Sequence, residues 1–160
     1  MTLPKVSLAR PDLKVDPEDP PGFRAAMFRF GADLGAVRTG TTLYELPPGE
    51  AVCPYHYEHH EEEWLLVLAG HPTLREPGGE QRLEPMDVVF FPPGPEAAHQ
   101  IRNDTDEPVR VLMWGENLYP AATTYPDSQK IGIWLERGEQ GKLYRLGTEL
   151  DYFDGEGETG

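Results

Sequence analysis

The residue types that could do chemistry in this chain are five histidines and a dense group of carboxylates. They concentrate between Gly49 and Gly70, GEAVCPYHYEHHEEEWLLVLAG, where His56, Glu58, His59, His60 and three glutamates lead into an apolar run. Uncompensated charge at the edge of a core is costly, and a metal ion is the usual way to offset it. On a strand, His56 and Glu58 point one way while Tyr55 and Tyr57 point the other. Glu63 opens the next apolar segment, and His99 follows the corner Pro92-Pro93-Gly94-Pro95. If antiparallel pairing joins these segments, His56, Glu58, Glu63 and His99 converge as two imidazoles and two carboxylates, a set that suits Mn, Fe, Ni, Cu or Zn. By the same parity Cys53 faces away from His56 as a small buried hydrophobe. His59 and His60 read as exposed loop residues, His71 and Asn103 as turn residues.

The elements that must position these groups are short strands. Candidates are 23–30, 41–46, 51–58, 63–69, 72–75, 81–83, 87–91, 99–102, 109–114 and 131–135, separated by turns such as Pro47-Pro48-Gly49 and Glu76-Pro77-Gly78-Gly79. The run from Glu63 to Ala69 is nearly continuous apolar, as in a strand buried on both sides. No long amphipathic pattern competes, and 17 glycines with 17 prolines would break helices. The pattern predicts an all-β barrel or sandwich. Residues 1–22 read as an extended N-terminal arm, 23–118 as the barrel, and 119–160 as a C-terminal extension packing on the barrel or on a dimer partner. The acidic, glycine-rich tail from Asp154 to Gly160 is expected to fray.

At 160 residues the chain suffices for one domain. Its net charge of −14 repels phosphate backbones and anionic headgroups, which argues against nucleic acid and membrane partners. One cysteine excludes an internal disulfide, and no signal peptide or spanning segment is evident, so a cytoplasmic protein is expected.

The stretch around His56 resembles the first motif of the cupin superfamily, G-x5-H-x-H-x3or4-E-x6-G, through Gly49, His56, Glu58, Glu63 and Gly70. The stretch from Met86 to Asn103 resembles the second, through Pro92, Gly94, His99 and Asn103. The resemblance implies an antiparallel jelly-roll β-barrel, often dimeric, that holds a divalent metal (Fe, Mn, Ni or Zn) through His56, Glu63 and His99. Glu58 stands where the motif has its second histidine, and Met86 where it has a glycine. Glu58 can serve as the fourth ligand, His59 can take that place through a bulge, or the site can be vestigial. Two functions follow as expectations. One is a metal-dependent enzyme of oxygenase or isomerase type acting on a small molecule. The alternative is a metal-free barrel that binds a sugar-like ligand without catalysis.

Overall fold

Glycine and proline interrupt the chain so often that no described element exceeds eight residues. The computed structural model describes residues 2–157, so the end of the expected frayed tail lies outside the described residues. In chain order the elements are β1 (Ala26–Phe28), α1 (Phe30–Asp33), β2 (Thr39–Leu46), β3 (Tyr57–Glu58), β4 (Glu63–Ala69), β5 (Thr73–Glu76) and β6 (Gly79–Arg82). There follow β7 (Val88–Phe91), β8 (Gln100–Arg102), β9 (Val109–Glu116), β10 (Ala121–Tyr125), β11 (Lys130–Trp134) and β12 (Lys142–Arg145). Among the described residues no helix is long and apolar enough to cross a membrane.

One layer is a five-stranded antiparallel sheet in the order β1-β2-β9-β4-β7. Alternation along β4 and β9 turns Leu65, Val67, Val109 and Val111 inward, each fully buried. They meet Leu74 of β5 and Ile101 of β8 from the opposite layer, with Phe91 and Met113 closing the same core. Each such side chain contributes about 1.5–3 kcal/mol through burial. The outer face of β4 is only half-buried at Trp64, Leu66 and Leu68, so the strand expected to be buried on both sides is fully covered on one.

The second layer consists of the sheets β6-β5-β8 and β12-β11-β10-β3. Between them runs the segment from Gly49 to His56, antiparallel to His99–Asn103. The amide N–H of Gly49 donates to the Asn103 carbonyl at 2.8 Å, that of Val52 to Ile101 at 2.9 Å, and those of His56 and His99 to each other's carbonyls at 3.1 and 2.8 Å. These bonds join the two smaller sheets into one interrupted layer facing the first. The result is the all-β, cupin-like antiparallel architecture that the motifs imply.

Three local expectations need correction. The strand expected over 51–58 is regular only at Tyr57–Glu58, because Pro54 has no N–H to give the ladder. The strand expected over 23–30 shrinks to β1, and Phe30–Asp33 turn as the short helix α1. Beyond residue 119 the chain forms three strands rather than one, and β10 pairs with β3, bringing Thr123 opposite Glu58.

Candidate metal centre

His56 and His99 occupy facing positions of an isolated antiparallel bridge, which sets their rings 4.6 Å apart. Glu63 arrives from the first residue of β4, and Glu58 from β3. The Nε2 atoms of His56 and His99 each lie 3.6 Å from Glu63 Oε2. His56 Nε2 is also 3.8 Å from Glu58 Oε1. His56, Glu63 and His99 offer ligand atoms that all lie within 4.8 Å of one another, a group that could hold a metal ion. Glu58 stands beside this group, with its other oxygen accepting a hydrogen bond from Thr123 Oγ1 at 2.7 Å. Cys53 does not face away: its Sγ is 3.4 Å from His56 Nδ1, since the parity argument fails where 51–56 departs from a regular strand.

The tautomers follow from the backbone. His56 Nδ1 lies 3.0 Å from the Pro54 carbonyl, and His99 Nδ1 lies 3.0 Å from that of Ala97. A carbonyl only accepts, so each Nδ1 carries the proton and donates it. When each ring is neutral, its Nε2 presents a lone pair toward Glu63. Metal-binding histidines are commonly fixed in this way by a carbonyl behind the ring. The His99 ring is also stacked on Phe91 at 3.7 Å between centroids. Both imidazoles are buried, and Glu63 Oε2 and His99 Nε2 are buried with no hydrogen-bond partner among the described residues. Leaving such atoms unpaired costs about 1–3 kcal/mol each, so their presence calls for a counterpart. Two ligand atoms each about 2.1 Å from a tetrahedral ion stand about 3.4 Å apart, close to the separations found here. The donor set therefore fits a divalent ion.

The electrostatics of the four groups differ. Burial is the main influence on His99 and, with the charge of His56, lowers its pKa to about 4. Glu58 is pushed up to about 7, first by burial and further by Glu63, against the hydrogen bond from Thr123. Burial acts upward on Glu63 too, but His56 and His99 outweigh it and hold the carboxyl below its ordinary range. Burial opposes charge on His56, yet the Cys53 sulfur and Glu63 overcome it and raise its pKa well above the ordinary value. Glu63 is thus an ionised carboxylate that draws positive charge to this spot.

A cavity of ≈ 430 Å³ opens over His56 and Glu58 and is also lined by Tyr44, Cys53, Thr123 and Tyr125. A second lobe of ≈ 240 Å³ shares Tyr44, Cys53 and His56 with it and reaches Glu63. A slightly larger hollow, ≈ 470 Å³, lies between the N-terminal arm and β1 and contains no imidazole.

The cupin domain family matches residues 42–115, the span that contains the cluster. No curated protein matches the chain. Among solved structures, a candidate sugar phosphate isomerase from Acidithiobacillus ferrooxidans ATCC 23270 superposes with a TM-score of 0.78 at 28% identity, over 92% of this chain and 95% of that one. A sugar phosphate isomerase from a cupin superfamily, from Silicibacter pomeroyi DSS-3, superposes with a TM-score of 0.79 at 25% identity, over 93% and 98% of the two chains. The chain is thus similar to the cupin domain family over residues 42–115 and cupin-like in fold. The polyketide cyclase RemF from Streptomyces resistomycificus shares the fold with a TM-score of 0.59 at 24% identity, over 72% and 80%.

Within the site, His59 does not move in to replace a ligand: its Nε2 pairs with Thr124 Oγ1 at 2.8 Å. Glu61 lines the cavity and accepts the Leu118 N–H at 2.7 Å. Gly115 is a further site residue that sequence reasoning did not single out. It lies opposite Glu63 in the β4–β9 ladder, and a Cβ there would come within 2.7 Å of the Glu62 carbonyl and 3.2 Å of Glu63 Cγ. Glycine is what lets the Glu63 side chain take its place. Thr123 was missed for a similar reason, since only the β3–β10 register sets it against Glu58.

Proposed function

We propose that this chain holds one divalent metal ion through His56, Glu63 and His99, with Glu58 as the fourth donor, and acts as a metal-dependent isomerase on a small sugar-like molecule. The metal reading is carried by one observation: two buried, unpartnered atoms, Glu63 Oε2 and His99 Nε2, at a point where three donors converge. The reaction class is supported by the two isomerases whose folds follow this chain almost end to end. A bound ion would polarise a substrate carbonyl or hold adjacent oxygens of the substrate. The chain's own part is to bind and orient: Tyr44, Thr123 and Tyr125 border the cavity and supply hydroxyl groups suited to a polyhydroxylated ligand. Pro54 and Ala97 lock the imidazoles, and Thr123 holds Glu58.

Turnover tests this reading. Protein loaded with Mn or Fe is incubated with a panel of aldose and ketose phosphates, and interconversion is followed by NMR. Metal-dependent conversion that is lost in Glu63→Gln is the expected result. Stoichiometric metal without conversion of any member of the panel would remove the isomerase assignment and leave a binding barrel.

The proposal includes a homodimer. β7 is an edge strand of the five-stranded sheet, and Val88 and Phe90 on it are 56% and 41% exposed. Phe90 continues into the ring stack of Trp64 and Trp114. An exposed apolar sheet edge of this kind is a surface that a second copy would cover.

A further inference from the structure

The cavity over the cluster is acidic in composition, but its acids are already engaged. Glu58 accepts from Thr123, Glu61 from the Leu118 N–H, and Glu116 Oε2 from the Glu62 N–H at 3.2 Å. What the wall leaves free is a cation. Among the described residues Arg29, between β1 and α1, is the one lysine or arginine lining this cavity, and it is exposed. Among the described residues its guanidinium makes neither an ion pair nor a hydrogen bond. It also borders the neighbouring hollow that contains Asp12, Asp16, Asp19 and Asp33, none of which pairs with it. By contrast Arg75, Arg102 and Arg110 each bind a carboxylate at 2.6 Å. In a chain with 28 acidic and 14 basic residues, an arginine without a carboxylate partner at a cavity wall is a group with its donors to spare. A guanidinium presents a planar fork of N–H donors that matches a phosphate in bidentate fashion.

We propose that Arg29 binds the phosphate group of the ligand, so that the cavity takes a small phosphorylated polyol or sugar rather than a neutral one. The ligand lies with its phosphate at Arg29 and its carbonyl or hydroxyl end at His56 and Glu58, with Tyr125 and Trp134 bordering the space that it fills. A volume of ≈ 430 Å³ suits a molecule of that size. This rests on the isomerase reading for the orientation of the ligand, but not for the phosphate contact itself.

Binding of fructose 6-phosphate, fructose and inorganic phosphate is measured by calorimetry on the wild type, Arg29→Gln and Arg29→Lys, with Mn bound and after chelation. In the wild type fructose 6-phosphate should bind about tenfold or more tighter than fructose, and inorganic phosphate should compete with it. In Arg29→Gln that preference should collapse while fructose affinity is unchanged, and Arg29→Lys should retain part of it. Equal binding of the two sugars by the wild type, or full preference in Arg29→Gln, overturns the proposal. A phosphate preference that persists in protein unable to bind Mn supports Arg29 while removing the metal reading. One Mn per chain without any phosphate preference does the reverse.

Discussion

Met86 shows what one residue can cost when its backbone is set by its neighbours. It stands where the cupin motif has a glycine, and its φ is +76°, in the left-handed region that glycine favours. Hydrogen bonds from Met86 N–H to Val67 and from Asp87 N–H to Glu84 hold the turn in that shape. The side chain is 71% exposed, so little packing is lost by removing it. Met86→Gly should therefore stabilise the protein by about 1 kcal/mol, the relief of strain exceeding the extra backbone entropy. Thermal unfolding would show this as a rise of about 2–4 °C in Tm, and an unchanged or lower Tm would contradict it. At this scale the sequence revealed His56, Glu58, Glu63 and His99 because their types and spacing are local. It hid Cys53, because Pro54 breaks the parity that was used to place it. It hid Gly115, Thr123 and Arg29 because their neighbours come from pairings far along the chain.

At the scale of elements, the barrel strands were legible because Gly and Pro mark their ends and apolar residues fill their inner faces. The C-terminal strands were less so. β12 is exposed along its whole length, and β10 pairs with a two-residue strand, so neither bears a buried apolar pattern. What anchors the turn between β10 and β11 is a side-chain contact. Arg75 of β5 donates two hydrogen bonds to Asp127, at 2.6 and 2.9 Å, and its guanidinium lies 4.0 Å over the Tyr55 ring. Both partners are partly exposed, and after screening by solvent the anchor is worth about 0.5–1 kcal/mol. The Arg75 fork holds the Asp127 carboxyl below its ordinary value of 3.8. A depressed carboxylate contributes stability that is present above the unfolded value and is lost as pH falls through the folded one. Urea titrations of Asp127→Asn should thus show a deficit at pH 7 that shrinks as pH falls below the ordinary carboxylate value of 3.8. A constant deficit at every pH would mean that the ion pair has no part in it.

At the scale of the whole molecule, the first layer supplies Glu63 and the second supplies His56, Glu58 and His99, so the cluster exists only when the two layers close. The proposed dimer would extend this to a second copy at the apolar edge of β7. Light scattering should report twice the 17.9 kDa chain mass, and Phe90→Lys should shift it to the single-chain mass. A single-chain mass for the unaltered protein would contradict the dimer. Whether the cluster holds a metal is decided by elemental analysis of protein purified without an affinity tag or chelator, beside a His56→Ala/His99→Ala double variant. One divalent ion per chain in the wild type and none in the variant is the predicted result. A wild type that stays empty after incubation with Fe, Mn, Ni and Zn would contradict it and leave a barrel that binds its ligand without metal.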